Sequence, residues 1–275
     1  MAYKALILEK EGPISIITLN RPDAGNSFDL RLLGEIDEVF KEVNSARDIR
    51  VVIITGAGKC FCTGIDLNMF VSQKGPIKEH RGEEAIYPAK SDKTYGKGTN
   101  IGATVRMRDM SKPVIAAVNG PAIGAGFSLA LSCDMRFASD RAKFSMVFVK
   151  RGIGPDAGAS FTLPRVVGFP KACELLLTGD IIDAAEADRI GLVNKVVPHD
   201  DLMRAAKELA GRIAKNPPLA VGLHKAALYK AMAETDIIDQ MKYEIEIQDK
   251  LLGTEDFLEA ARAFLEKREP VFKGK

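Results

Sequence analysis

The chain has 275 residues, enough for one large domain or two smaller ones, and 46% of them are hydrophobic, enough for a sizeable core. Its 39 Lys and Arg stand against 37 Asp and Glu, a formal net charge of +2, which provides no basic stripe for nucleic acid and no electrostatic pull toward a membrane surface. No apolar run is long enough to span a membrane, and the segment from Met1 to Leu6 lacks the architecture of a secretion signal, so a cytoplasmic protein is expected.

Residues 4–9 alternate in polarity and residues 14–19 are β-prone, with Glu11-Gly12-Pro13 between them as a hairpin turn. Residues 20–27 form a loop. Asp29 then suits the cap of a helix whose apolar positions, Leu32, Leu33, Ile36, Val39, Phe40 and Val43, recur at helical spacing. Residues 51–55 are a continuous apolar strand, followed by a glycine-bearing turn through Gly64, Ile65, Asp66 and Leu67 that an ordinary loop would also explain. Residues 71–99 are polar and rich in turn formers, a length and composition typical of functional lids or of disordered segments, and His80 within them reads as a solvated side chain. Residues 101–110 return to a helix-compatible pattern.

The stretch from Lys112 to Asp134 organises the chain. A buried strand over 114–118 runs into Asn119-Gly120-Pro121, then Gly124-Ala125-Gly126, then an apolar helix from about Phe127. A helix start carries backbone N–H groups without intrahelical partners, and small residues let a ligand approach them. The N–H of Ala125 is therefore a candidate donor to an oxygen that becomes negative during a reaction; the same glycines also suit tight strand–helix packing. Leu129, which stands where the third glycine would be, and the mid-chain position argue against a dinucleotide fingerprint.

Further strands are expected over 135–138, 143–147 and 192–197, and short helices over 172–178 and 184–190. Asp156 precedes Ala157-Gly158 and a helix expected to end before Pro164; Asp at such a point is a favoured N-cap. From His199 onward the pattern is helical, over 200–214, 218–233, 236–251 and 255–268, with more apolar surface than solvated helices need. Cys60, Cys62, Cys133 and Cys173 form no CxxC pair and the three histidines are scattered, so no metal site is expected.

Several segments together resemble the crotonase (enoyl-CoA hydratase/isomerase) superfamily. They are Leu19-Asn-Arg-Pro-Asp-Ala24, Phe61-Cys-Thr-Gly-Ile-Asp-Leu67, Lys112-Pro-Val-Ile-Ala-Ala-Val-Asn-Gly120, Gly124-Ala-Gly126, Cys133-Asp134, Ala142-Lys-Phe144 and, near the end, Phe264-Leu-Glu-Lys-Arg268. The resemblance implies an α/β fold, a spiral of β-β-α repeats over residues 1–198 with a C-terminal α-helical region over 199–275 that mediates homotrimers or homohexamers. It implies an acyl-CoA thioester substrate, with coenzyme A entering as part of that substrate and no separate cofactor. The backbone N–H groups of Ile65 and Ala125 map to the oxyanion hole. Coenzyme A maps to Arg21, Asp23, Ala24, Gly64, Asp66, Leu67 and Gly124, with Phe264 and Lys267 closing over it from a neighbouring subunit.

Members of the superfamily that hydrate use two glutamates, and the matching positions here are Ser128 and Phe148, which become pocket walls. What remains is Asp156, eight residues after Phe148, where single-acid isomerases of the superfamily place a catalytic carboxylate. The flanking segments most closely resemble ring 1,2-epoxyphenylacetyl-CoA isomerase and Δ3-Δ2-enoyl-CoA isomerase-like members, which implies isomerisation of a phenylacetate-derived or linear acyl group. The alternative is an enoyl-CoA hydratase. A nucleophilic Asp156, as in hydrolytic dehalogenases resembling this superfamily, would be accompanied by a tryptophan where Phe148 stands, and the chain has no Trp. A non-catalytic acyl-CoA-binding or RNA-binding relative is the reading from another class, and near-neutral charge disfavours RNA.

Overall fold

β1 (Leu6–Glu11) and β2 (Ile14–Leu19) form an antiparallel hairpin in the computed structural model, which describes residues 3–68 and 100–275. Gly12 makes its turn with φ of 55°, a left-handed backbone that costs glycine nothing in side-chain clashes. Every further neighbour in the main sheet is parallel: β3 (Val51–Gly56), β4 (Val114–Val118), β6 (Met135–Ser139) and β9 (Lys195–Val197), giving the order β1-β2-β3-β4-β6-β9. A second sheet holds β5 (Ala122–Ile123), β7 (Lys143–Ser145) and β8 (Ile182–Asp183) in the order β5-β7-β8. The expected segment at 71–99, with His80, lies outside the described residues.

Side chains alternate across the main sheet. Ile17, Leu19, Val52, Ile54, Val114, Ala116 and Val118 pack on α1 (Leu30–Ser45) in the larger core. Ile14, Ile16, Val51, Ile53, Ile115 and Ala117 pack on α7 (Leu202–Ala214) in a second core. Each fully buried aliphatic or phenyl side chain contributes about 1.5–3 kcal/mol. The Asp29 carboxylate caps α1 by accepting the Leu32 N–H at 2.8 Å, and all six apolar positions expected on that helix are buried.

α2 (Asn100–Asp109) is pinned to α1 by a buried ion pair: Asp37, 3% exposed at its side chain, accepts from Arg106 at 2.6 Å and also meets Lys41. Burial works to raise the Asp37 carboxyl, but hydrogen bonds from Lys41 and Arg106 outweigh it and hold it below the usual carboxylate range. Its stabilising contribution is therefore present above the unfolded-chain value of about 3.9 and is lost only as pH falls through the lower folded value. Asp37→Ala, which strands Arg106, is expected to cost about 3–5 kcal/mol in urea unfolding at neutral pH. The difference from the parent protein should shrink in acid.

Boundaries differ from expectation where packing overrides local signals. α3 (Ala125–Ser132) begins two residues before Phe127, with Gly124 at its N-cap. α4 (Ala159–Val167) passes through Pro164 instead of stopping before it; fully buried Leu163 holds the helix together across the missing donor. β7 stops at Ser145 and a 3-10 turn, Val147–Arg151, takes over, while β9 is shorter than the 192–197 run. α5 (Phe169–Thr178) and α6 (Ala184–Arg189) lead to the C-terminal helices α8 (Pro218–Ala231), α9 (Ile237–Leu252) and α10 (Glu255–Glu266). Buried Lys225 fixes α8 to the core: it pairs with Asp134 at 2.9 Å and donates to the carbonyls of Met107 and Lys112.

Candidate active site

Two turns at the carboxyl ends of β3 and β4 are pressed together. The Asn119 side chain accepts the Gly56 N–H at 3.1 Å and donates to Gly58 O at 3.1 Å. Buried Asn26 donates to Ala57 O and Cys60 O at 2.9 and 2.8 Å. Phe61 and Cys62 both donate to Pro121 O at 3.1 Å, and Ile123 N–H donates to Cys62 O at 2.9 Å, so the chain leaving β3 runs parallel to β5. Further along, Gly64 (φ 95°) lies so close to the second turn that a Cβ on it would stand 2.8 Å from Ile123 O and 3.4 Å from Ala125 N.

Phe28 N–H donates to Gly64 O at 2.7 Å and Asp66 N–H to Phe28 O at 2.9 Å, which fixes Ile65 between them. Among the described residues, neither the Ile65 N–H nor the Ala125 N–H has a backbone acceptor, and Ala125 opens α3, where the helix supplies none. The two expected donors thus stand on adjacent turns.

Phe148 is buried, and its ring edge lies 3.7 Å from where a Cβ on Gly124 would be. Asp156 is half-buried, with Oδ1 shut off from solvent. It does not cap α4: Gly158 occupies the N-cap and makes no side-chain bond, while the main-chain carbonyl of Asp156 accepts the Ala159 N–H at 2.8 Å. Ala157 next to it has φ of 47°, rare for a residue with a Cβ, and Gly158 follows at 75°. This left-handed pair turns the chain sharply at the carboxylate. Burial pushes the Cys62 thiol up to about 12, with the charge of Asp156 adding to the shift, so Cys62 stays a thiol. Ala157 also lines a narrow apolar cleft with Phe28, Leu33, Ile36, Ala103, Thr104 and Leu129.

The residues expected to hold coenzyme A divide into two groups. Arg21 sits between Asp29 and Asp66 at 3.3 Å each and donates to Ser27 O. Asp23 and Ala24 follow on an exposed 3-10 turn, and Leu67 is 51% exposed on the neighbouring turn. Burial works to raise Asp66, but the Asn68 N–H and the Arg21 guanidinium hold it below its ordinary range. Arg21, Gly64, Asp66 and Leu67 therefore share one rim of the site. Phe264 and Lys267 stand apart on α10, where Phe264 is 83% exposed and Lys267 adopts φ of 53° as the C-cap. Among the described residues, no hydrogen bond or ion pair within this chain joins them to the Arg21 rim.

Residues 9–275 match the family model described as enoyl-CoA hydratase/isomerase. The chain belongs to the enoyl-CoA hydratase/isomerase family. It is 39% identical over 269 residues to a short-chain-enoyl-CoA hydratase of Clostridium acetobutylicum, covering 98% of this chain and 97% of that one. It is 40% identical over 276 residues to a crotonyl-CoA hydratase of Syntrophomonas wolfei, covering both chains completely at 100%. Among solved structures, an enoyl-CoA hydratase from Bacillus anthracis superposes with a TM-score of 0.89 at 34% identity, covering 99% of this chain and 100% of the other. This enoyl-CoA hydratase/isomerase family enzyme has the mixed α/β fold and C-terminal helices of those relatives.

Three supports of the family site escaped reading from sequence. Asn26 and Asn119 read only as loop and turn residues, yet the Asn119 amide ties the two turns together and the Asn26 amide ties the 20–27 loop to the first of them. Cys62 read only as a buried thiol, yet its carbonyl sets the spacing to β5. The one available signal was an Asn beside glycine at the end of each loop, which sequence alone does not separate from ordinary turn chemistry.

Proposed function

We propose that this chain is an acyl-CoA isomerase in which Asp156 is the single acid/base. Asp156 removes a proton from the second carbon of a β,γ-unsaturated acyl thioester, and the electron pair spreads to the thioester oxygen. The N–H groups of Ile65 and Ala125 stabilise that oxygen, donors worth about 2.7–4 kcal/mol each in comparable sites. Asp156 then returns the proton to the fourth carbon, which leaves the double bond between the second and third. What supports this reading is that the charge of Asp156 acts on Cys62, three residues before Ile65, and that Ser128 and Phe148 stand where hydrating members of the superfamily carry their two glutamates. Arg21, Asp23, Ala24, Gly64, Asp66, Leu67 and Gly124 would hold coenzyme A. Phe264 and Lys267 would close over it from a second copy in a trimer or hexamer, for which exposed Leu228, Ile237, Ile245 and Leu265 supply apolar surface.

Hydration is the second reading, favoured by the hydratase names of the relatives. Incubation with but-3-enoyl-CoA and with crotonyl-CoA in heavy water, read by mass, separates the two. Isomerisation converts but-3-enoyl-CoA into crotonyl-CoA, separable by chromatography, with deuterium entering the fourth carbon to the extent that the Asp156 carboxyl exchanges with solvent before it returns the proton; hydration gives a thioester heavier by one water. Rapid water addition to crotonyl-CoA without but-3-enoyl-CoA turnover would replace the first reading with the second.

A further inference from the structure

A cavity of about 470 Å³ lies between the end of α3, the start of β6, α4 and α8, and none of the residues placed in the active site lines it. That is the size of a small-molecule site. Much of its wall is apolar, with Leu131, Val166, Val221 and Met232 among its residues. Its buried part is charged: Arg136 and Lys225 are 8% and 6% exposed. Asp134 is the one carboxylate in the wall, and both of its oxygens are engaged. Oδ2 accepts the Val114 N–H at 2.6 Å and meets Lys225 at 2.9 Å, and Oδ1 accepts the Tyr229 hydroxyl at 2.8 Å. Arg136 is left without a carboxylate. Its Nε donates to Leu192 O at 2.9 Å and its Nη1 to Cys133 O at 2.8 Å, while Nη2 has no partner among the described residues and is not sealed from solvent. A guanidinium stays charged at any working pH, and a buried charge is costly unless it is paired and hydrogen-bonded. Arg108, which also makes no ion pair among the described residues, lies 4.7 Å over the ring of Tyr229, itself a wall residue. Outside the wall, Asp109 acts on Lys225 with the opposite sign.

We propose that this cavity is a second binding site, separate from the acyl site, for a small carboxylate with an apolar tail. The carboxylate meets Nη2 of Arg136, and the tail lies along Leu131, Val166, Val221 and Met232. Charge selects the head: an anion supplies the acceptor that Asp134, already held by Lys225, Tyr229 and the Val114 N–H, does not. The wall selects the tail, since an inorganic anion would leave those apolar side chains against water. Leu228 at the mouth is 71% exposed and belongs to the apolar surface given above to a second copy; Arg136 lies beneath it and within one chain.

The test is a calorimetric titration of hexanoate into the full-length protein already saturated with butyryl-CoA, which keeps the acyl site occupied. Hexanoate is expected to bind at one molecule per chain, about tenfold or more tighter than 1-hexanol, its uncharged analogue. Each methylene from butyrate to hexanoate should tighten binding about fourfold. Arg136→Gln should remove the preference for hexanoate over 1-hexanol. Val221→Trp, which fills the cavity and leaves every bond of Arg136 in place, should weaken both ligands about tenfold or more and decides the matter if Arg136→Gln does not fold. Displacement of hexanoate by butyryl-CoA, equal affinity for hexanoate and 1-hexanol, or hexanoate binding unchanged by Val221→Trp overturns the proposal. None of these readouts depends on turnover, so a failure of the proton-transfer role of Asp156 registers separately.

Discussion

Asp156→Asn is expected to lower deuterium exchange into the acyl chain, and turnover with it, by about 10²–10⁴-fold while acyl-CoA still binds. The amide matches the carboxylate in size but takes up no proton. The main-chain carbonyl of this residue, which accepts the Ala159 N–H, is untouched by the change. The carboxylate is presented by an energetically unfavourable turn: Ala157 holds φ of 47° where glycine would be easier. Mass-read wash-in from heavy water measures the chemistry, and a direct titration with butyryl-CoA measures binding. Exchange at the parent rate in the Asn protein would remove Asp156 from the reaction.

The sequence disclosed the strands of the main sheet and the C-terminal helices because their signals are local, while the two-residue strands β5 and β8 carry no such signal. The alternating apolar residues of β2, β3 and β4 face two separate cores, as a period of two requires. Asp29 capped α1 as expected, since an N-cap depends on residues within one turn. Asp156 had the same local appearance and does not cap, because the left-handed Ala157-Gly158 pair displaces the helix start by two residues. That displacement was invisible in residue types, as alanine gives no sign of a positive φ. Pro164 misled in the opposite direction: local chemistry argued for a stop, and the burial of Leu163 carried α4 through. The pairing of the Ile65 and Ala125 turns is a long-range contact between segments about sixty residues apart, and only the resemblance to a known family brought them together in advance.

The second large effect belongs to Gly64→Ala, expected to reduce turnover by at least about 10²–10³-fold, the loss typical of one missing oxyanion donor. Gly64 has φ of 95°, and a Cβ there would stand 2.8 Å from Ile123 O and 3.4 Å from Ala125 N. Both neighbours are backbone atoms, so no rotamer change relieves the contact; the turns must separate. Separation moves the Ile65 N–H relative to the Ala125 N–H, and an oxyanion held by both would lose alignment with at least one. Gly12→Ala is the control, since Gly12 has φ of 55° with nothing within 4 Å of a Cβ. It imposes left-handed strain at the β1–β2 hairpin, expected to cost about 1 kcal/mol of stability, and leaves the paired turns untouched. Thermal unfolding should therefore register both substitutions, and kcat only the one at Gly64. Equal turnover in the two variants would mean that the spacing of these two amides is not what the reaction depends on.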